Sequence, residues 1–177
     1  GNLGKGVIKI SAVKPEHYRI VAPAMVFNNQ EDVKEAYHKG LLDKDVVVVV
    51  RFQGPKANGM PELHALTPIL SNLQDMGFKV ALITDGRMSG ASGKVPSAIH
   101  VTPEAIDGGT ISKIQDGDKL EIDANTGALN LNENYSNRKT SKLEKDFNVG
   151  FGRNLFSLLR KNAISAESGA GLNLIND

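Results

Sequence analysis

Five consecutive valines, Val46 to Val50, constrain the fold more than any other feature of this chain of 177 residues. Their β-branched side chains favour extended backbone, and a run without alternation offers no polar face to water. Such a strand must be covered on both faces, which predicts a strand buried on both sides in a compact α/β domain. The run Lys79 to Thr84 (KVALIT) predicts a second short buried strand.

Two runs before the valines predict strands, and a third predicts a helix. Residues Val7 to Val13 and Arg19 to Phe27 have extended, partly alternating patterns. Asn28 or Asn29 can cap the following helix, and Gly40 can end it. The apolar stripe of this helix consists of Val33, Ala36 and Tyr37.

A second helix is predicted between the two buried strands. Thr67 and Pro68 have the order of an N-cap followed by proline at the first helical position, and Gly77 suits the end. The predicted inward stripe consists of Ile69, Leu70, Leu73 and Met76. We expect these helices to cover the sheet.

The second half of the chain has shorter elements. Thr102-Pro103-Glu104 is a candidate helix start, and after it short strands alternate with turn signals. Three short strands are predicted, and their apolar residues are Ile111/Ile114, Leu120/Ile122 and Leu129/Leu131. We assign residues 1–131 to one domain and residues 132–177 to a polar linker and a helical tail, which packs on that domain or on a missing partner. The tail's apolar side consists of Leu155, Phe156, Leu159 and Ala163.

The amino-acid composition argues against several classes of partner and site. A net charge of +1 gives no electrostatic reason to expect nucleic acid or an anionic membrane as partner. No apolar run reaches 18 residues, so we expect no membrane span and a cytoplasmic protein. The chain has no cysteine, which excludes disulfides and any metal or cluster site built from its own sulfurs. It begins without methionine at a sequence typical of a connecting segment, so we expect a fragment.

The loop Arg51 to Glu62 (RFQGPKANGMPE) is a candidate cation site. Its prolines stiffen it, its glycines permit unusual backbone geometry, and it ends in a carboxylate. Mg²⁺ prefers oxygen ligands held with little positional error. The alternative is a surface turn in which Glu62 only begins a short helix.

A glycine-rich loop follows the second buried strand, from Thr84 to Lys94 (TDGRMSGASGK). Its backbone N–H groups, with Arg87 and Lys94, could hold a carboxylate or phosphate, although a flexible turn is equally compatible. It lacks the P-loop pattern and the nucleophile-elbow pattern. Of the four histidines, His64 and His100 lie near these loops, and a packing role suits His100 better than a catalytic one.

These stretches resemble the C-terminal domain of the dihydroxy-acid and sugar-acid dehydratases. The resemblance rests on RFQGPKANGMPE, on ALITDGRMSGASGKVPSAIHVTPEA (residues 81–105) and on DGD (residues 116–118), and it covers nearly the whole chain. The forms GPKANGMPELH and GASGKVPSAIHVTPEA, and the tail GFGRNLFSLLRKNAISAESGAG, are most similar to the 6-phosphogluconate branch of the family.

The resemblance implies a swivelling β/β/α domain with a mixed sheet or barrel-like β core, covering helices and a C-terminal helix. It also implies a hydro-lyase that dehydrates 6-phosphogluconate to 2-keto-3-deoxy-6-phosphogluconate in the Entner–Doudoroff pathway. Family members use Mg²⁺ and a [4Fe-4S] cluster, or a [2Fe-2S] cluster in some branches. The cluster belongs to an N-terminal domain, without which this chain is expected to be inactive. A homodimer is expected for the complete enzyme.

The same resemblance assigns roles to individual residues. Glu62 matches a Mg²⁺ ligand, and Ser89 matches the serine proposed as the base that removes the C2 proton. The substrate-binding residues implied are Arg87, Ser92, Gly93, Lys94 and Asn58, with residues 92–94 near the phosphate. Arg87 could equally anchor its loop through a buried salt bridge. Three alternatives stay open: dehydration of another sugar acid or dihydroxy acid, a non-catalytic anion-binding module, and a serine hydrolase that uses Ser89.

Overall fold

The computed structural model describes residues 1–88, 93–143, 150 and 153–173. Seven strands form one mixed sheet: β1 (Lys5–Lys9), β2 (Arg19–Phe27), β3 (Val46–Val50), β4 (Val80–Thr84), β5 (Ser97–Thr102), β6 (Lys119–Asp123) and β7 (Ala128–Leu131). The helices are α1 (Gln30–His38), α2 (Pro55–Asn58), α3 (Leu66–Asp75) and α4 (Ser157–Lys161). Within the described ranges, no helix is both long and apolar enough to cross a membrane.

The strand order is β1-β5-β4-β3-β2-β6-β7, with a parallel centre from β2 to β5 and antiparallel pairs at both ends. The two outer strands come close to each other through the segment before β1. Leu3 N donates to Leu129 O at 3.3 Å, and Asn2 Nδ2 donates to Leu131 O at 2.9 Å. The sheet is therefore nearly closed into a barrel, which confirms the expected mixed, barrel-like α/β fold.

The valine strand has the predicted two-sided burial. Val47 and Val49 pack in the core enclosed by the sheet, whereas Val46, Val48 and Val50 pack in a second core together with residues of α1 and α3. All five valines have no solvent exposure. Alternate side chains of a strand point to opposite faces, so one apolar run supplies both cores.

The start of α1 agrees with the sequence prediction, whereas the start of α3 does not. Asn29 caps α1 as predicted, because its side chain accepts a hydrogen bond from Asp32 N. The predicted start of α3 was wrong, since the helix begins at Leu66 and the side chain of Thr67 is buried, 3.4 Å from Met88 Sδ. Met76, predicted to point inward, is 58% exposed, because the helix ends at Asp75.

Three other element predictions need correction. The first strand is Lys5–Lys9 and not Val7 to Val13. The predicted Ile111/Ile114 strand is a 3₁₀ turn over Thr110–Lys113, and the helix start at residues 102–104 leads only to a 3₁₀ turn over Ala105–Asp107. The chain packs tightly just before the turn over Thr110–Lys113, since a Cβ at Gly109 would lie 1.8 Å from Pro103 O.

The tail contains a shorter helix than the sequence pattern indicated. The apolar side predicted for the tail helix is largely exposed: Leu155 is 75%, Phe156 is 51% and Leu159 is 42% exposed, and of these three only Leu159 lies within α4. Tyr135 and Leu143, in the predicted polar linker, are partly buried against the core inside the sheet. The proposed boundary between residues 131 and 132 stays a prediction.

Candidate functional site

The candidate site lies at the carboxyl edge of the parallel strands, where the loops after β3 and β4 meet. Asp85 follows β4 directly and is fully buried. Its carboxylate accepts hydrogen bonds from Phe52 N at 3.0 Å, Gln53 N at 2.8 Å and Ala105 N at 3.0 Å. One side chain therefore holds together the two loops and the chain that leaves β5.

Glu62 and Arg87 join the two loops at the surface. Arg87 Nη1 lies 3.2 Å from Glu62 Oε2, and Arg87 Nε donates to Met60 O at 2.7 Å. The backbones also meet, because Leu63 N donates to Arg87 O at 3.1 Å in a short parallel bridge. The predicted metal ligand and the predicted substrate-binding arginine are thus in direct contact.

Unusual backbone conformations occur around this contact. Phe52, Met60 and His100 have φ values of 62°, 60° and 56°, a left-handed region that non-glycine residues rarely adopt. His100 N donates to Gly86 O at 2.9 Å. Burial, together with the positive charge of Arg87, lowers the pKa of His100. Strain of this kind occurs often at functional sites, where surrounding contacts enforce it.

A second buried acid, Glu104, contacts α2 in the loop after β3. Glu104 is fully buried, and its carboxylate faces Lys56 N and Ala57 N of α2 at 3.3 and 3.4 Å. Gly54 makes this approach possible, because a Cβ at that position would lie 2.2 Å from Glu104 Oε2. Burial, reinforced by the nearby Asp85 carboxylate, raises the pKa of Glu104 to about 7.

We expect Glu104→Gln to flatten the pH dependence of stability. The raised pKa means that the folded protein retains a proton that an unfolded glutamic acid, with an ordinary pKa of 4.5, has lost. The free energy of unfolding of the wild type therefore falls as the pH rises from about 4.5 to about 7, by on the order of 3 kcal/mol from this group. Urea unfolding at pH 5 and pH 8 measures the difference. Equal pH slopes for variant and wild type would refute the assignment.

A pocket of about 610 Å³ opens beside the Glu62–Arg87 contact. Among the described residues, four polar ones line it: Asn58, Arg87, Arg153 and Arg160. We call it the arginine pocket. The apolar lining includes Met60, Phe156, Leu159 and Leu172, and none of the described residues that line it is acidic. Glu62 lines a separate, open depression together with His64 and Lys94.

Hydrogen bonds connect the arginine pocket to the loop after β3, which contains α2 and which we call the β3 loop. Arg153 Nη1 donates to Asn58 Oδ1 at 2.5 Å, and Asn58 Nδ2 donates to Gln53 Oε1 at 3.1 Å. Arg160 is only 7% exposed, and its Nη2 donates to Arg153 O at 3.0 Å. The tail and the β3 loop thus share one polar network.

The other predicted site residues lie in different surroundings. Lys94 Nζ pairs with Asp75 of α3 at 2.7 Å, and Gly93 lies against the side chain of Lys9. Ser89 and Ser92 lie outside the described residues. The roles predicted for all of these positions stay predictions.

Sequence reasoning missed four residues of this region, namely Asp85, Glu104, Arg153 and Arg160. A signal existed for Asp85, since an acid directly after a buried strand is a common place for a site residue in α/β sheets. The two arginines occur in the tail motif GFGRNLFSLLR, seven positions apart. Nothing local indicated that they approach the β3 loop.

Glu62 fits a hard cation as one ligand of a larger set. Its carboxylate is the right donor for Mg²⁺. Arg87 forms an ion pair with it, and Lys9 is close enough for the two charges to interact. Within the described part of the chain, no three His, Cys, Asp or Glu side chains are grouped so that they could hold a metal ion. Further ligands would have to come from elsewhere.

Comparison with known proteins identifies relatives of this chain. It is 54% identical over 173 residues to the phosphogluconate dehydratase of Pseudomonas aeruginosa and 55% identical over 174 residues to that of Escherichia coli K12, each alignment covering 96% of this chain. It is 44% identical over 135 residues, 74% of the chain, to the dihydroxy-acid dehydratase of Caldanaerobacter subterraneus subsp. tengcongensis. The alignments span 28%, 29% and 24% of these three proteins.

The chain therefore spans less than a third of the length of these relatives. A family profile described as dihydroxy-acid/6-phosphogluconate dehydratase C-terminal matches residues 1–170. This match covers the sheet, both loops of the candidate site and most of the tail. The chain belongs to the dihydroxy-acid/6-phosphogluconate dehydratase C-terminal family.

Proposed function

We propose that this chain is the C-terminal domain of a hydro-lyase that dehydrates 6-phosphogluconate to 2-keto-3-deoxy-6-phosphogluconate. The observation that carries the proposal is the contact between Glu62 and Arg87, which brings the two family motifs together at one edge of the sheet. The identity to proteins named phosphogluconate dehydratase supports the substrate. The cytoplasmic location expected from the sequence stays a prediction.

In this proposal Glu62 supplies one oxygen ligand to a Mg²⁺ site, and Ser89 removes the proton from C2. Bound Mg²⁺ would supply positive charge that orients the substrate carboxylate. Because Arg87 pairs with Glu62, the arginine must give way or share the carboxylate when a cation binds. Any iron–sulfur cluster depends on cysteines of another part of the protein, since this sequence has none.

The partner in this proposal is the rest of the same longer polypeptide, an N-terminal domain that bears the cluster. The exposed apolar side chains of the tail support such a contact, since Leu155 and Leu158 are 75% and 66% exposed. Large apolar patches on soluble proteins commonly mark interaction sites. We further propose that the complete enzyme forms a homodimer.

The direct test is an assay of the complete enzyme that contains this chain. We expect it to convert 6-phosphogluconate to a 2-keto-3-deoxy product, detected with a carbonyl reagent and by mass spectrometry. Turnover of a branched-chain dihydroxy acid in preference to 6-phosphogluconate would instead place the enzyme in the other branch of the family. A complete enzyme that dehydrates neither acid would contradict the proposal.

Glu62→Gln in the complete enzyme should weaken the response to Mg²⁺. The amide keeps the shape of the side chain and loses the charge that a hard cation prefers, so the Mg²⁺ concentration for half-maximal activity should rise about tenfold or more. A Mg²⁺ titration of activity measures it. Glu31→Gln, an exposed position on α1, is the control and should titrate like the wild type. An unchanged titration for Glu62→Gln would remove this residue from the metal site.

A further inference from the structure

We infer that the arginine pocket binds the phosphate monoester end of the substrate, through Arg153 and Arg160. This inference rests on the proposed function and assigns the phosphate to the tail of the chain. The sequence had instead indicated residues 92–94.

The charge of the pocket points to an anion. Three of the four polar residues that line it in the described part of the chain are arginines, and none of the described lining residues is acidic. Arg87 is paired with Glu62 beside the pocket, so three guanidinium groups lie near this one carboxylate, and this arrangement favours an anion. A divalent phosphate group would interact with the guanidinium groups more strongly than a single carboxylate would.

The surroundings strengthen this interaction. Arg160 is 7% exposed, and apolar side chains such as Phe156, Leu159 and Leu172 form the rest of the lining. Charges interact more strongly where water is displaced and the local dielectric is low. The pocket volume of about 610 Å³ lies in the range typical of small-molecule sites.

The arginine side chains have the right geometry for phosphate. A guanidinium presents several N–H donors in a planar fork, which matches phosphate oxygens in pairs. The hydrogen bonds from Arg153 to Asn58 and from Arg160 to the backbone of Arg153 hold the tail on the β3 loop. The site is therefore organised before the ligand arrives.

The location suits a substrate with two anionic ends. Arg87 lines the arginine pocket and contacts Glu62, which lines the neighbouring depression. A chain of six carbons could place its carboxylate on the Glu62 side and its phosphate among the arginines. Unphosphorylated gluconate would then keep the contact of its carboxylate and lose only the contact between the phosphate and the arginines.

The test is Arg153→Gln in the complete enzyme, because Arg153 is partly exposed and is easier to replace than the buried Arg160. We expect the KM for 6-phosphogluconate to rise about 10- to 100-fold, with kcat changed less than about threefold, because the lost contact is charge-assisted and remote from the bond that breaks. Inhibition by inorganic phosphate should weaken by a similar factor, and turnover of gluconate should stay unchanged.

Matched variants make the result specific. Lys161→Gln removes one positive charge from α4, the helix that contains Arg160, at an exposed position outside the pocket lining, and should behave like the wild type. Arg153→Lys keeps the charge and loses the fork, and should fall between wild type and Arg153→Gln. Thermal unfolding of each variant shows whether a raised KM comes from damaged folding.

Two results would overturn the inference. One is a KM for Arg153→Gln within twofold of the wild type, with phosphate inhibition unchanged. The other is a large KM increase that appears in Lys94→Gln and not in Arg153→Gln, which would place the phosphate near residues 92–94.

The measurements distinguish a wrong proposed function from a wrong assignment of the phosphate to the arginine pocket. If the wild-type enzyme does not dehydrate 6-phosphogluconate, the proposed function fails, and calorimetric titration with inorganic phosphate decides the inference alone. Binding that Arg153→Gln weakens at least tenfold supports the pocket. Equal binding by both proteins, or none by the wild type, overturns it.

Discussion

Asp85→Ala is expected to lower the free energy of unfolding by about 4 kcal/mol. The substitution leaves three buried backbone donors, those of Phe52, Gln53 and Ala105, without their acceptor. Each orphaned donor costs about 1 to 3 kcal/mol. Burial raises the pKa of Asp85, so removal of the carboxylate also recovers part of the cost of burying it. The three lost hydrogen bonds outweigh that gain.

Chemical denaturation of the 177-residue chain at pH 7 measures this effect. Asp43→Ala is a suitable control, since Asp43 is exposed and its loss should change stability by less than about 0.5 kcal/mol. Asp85→Asn, which keeps one acceptor oxygen, should cost about half as much as alanine. A loss below about 1 kcal/mol for Asp85→Ala would show that the loops stay joined without this carboxylate.

Ser89→Ala is expected to reduce kcat of the complete enzyme by about 10³-fold or more. In the proposed function the alkoxide oxygen of Ser89 takes the C2 proton and becomes a hydroxyl, and the methyl group of alanine cannot replace it. Loss of a positioned general base typically costs between about 10² and 10⁴ in rate. A serine hydroxyl is a weak acid, so it needs nearby positive charge to act as a base, and Arg87 lies two positions earlier in the same loop.

Steady-state kinetics with 6-phosphogluconate test this expectation. Ser136→Ala, at an exposed position in the segment after β7, should keep wild-type rates. Bound iron and the thermal unfolding midpoint of Ser89→Ala should match the wild type, which separates a chemical defect from a structural one. Near-normal kcat would exclude Ser89 as the base and leave the family motif without its proposed role.

The elements that the sequence predicted well are those whose signals are local. Asn29 caps α1 and Val46–Val50 forms a strand buried on both faces, because capping and two-sided burial depend on neighbours in the chain. The predicted start at Thr67 failed because that hydroxyl faces Met88 in the core, a contact that connects two distant segments. The strand predicted at Ile111 and Ile114 failed because their apolar spacing suits a buried turn as well as a strand.

The candidate site also contains some features that the sequence predicted and others that depend on contacts between distant residues. Motif resemblance selected Glu62 and Arg87, and their direct contact agrees with a shared site. The arginine pocket was not predicted, since Arg153 and Asn58 are 95 positions apart and only the folded tail brings them together. The raised pKa of Glu104 likewise arises from burial under α2 and from Asp85, neither of which the residues next to it reveal.

The sequence by itself determined the family, a strand buried on both faces and the two loops that carry the motifs. These follow from residue types and short spacings, which act through backbone preference and the alternation of side chains along a strand. Only the tertiary structure decided that the sheet nearly closes, that Asp85 ties three segments together, and that the tail brings two arginines to the β3 loop. Those features depend on burial and on contacts between distant residues, whose energies arise only once the chain has folded.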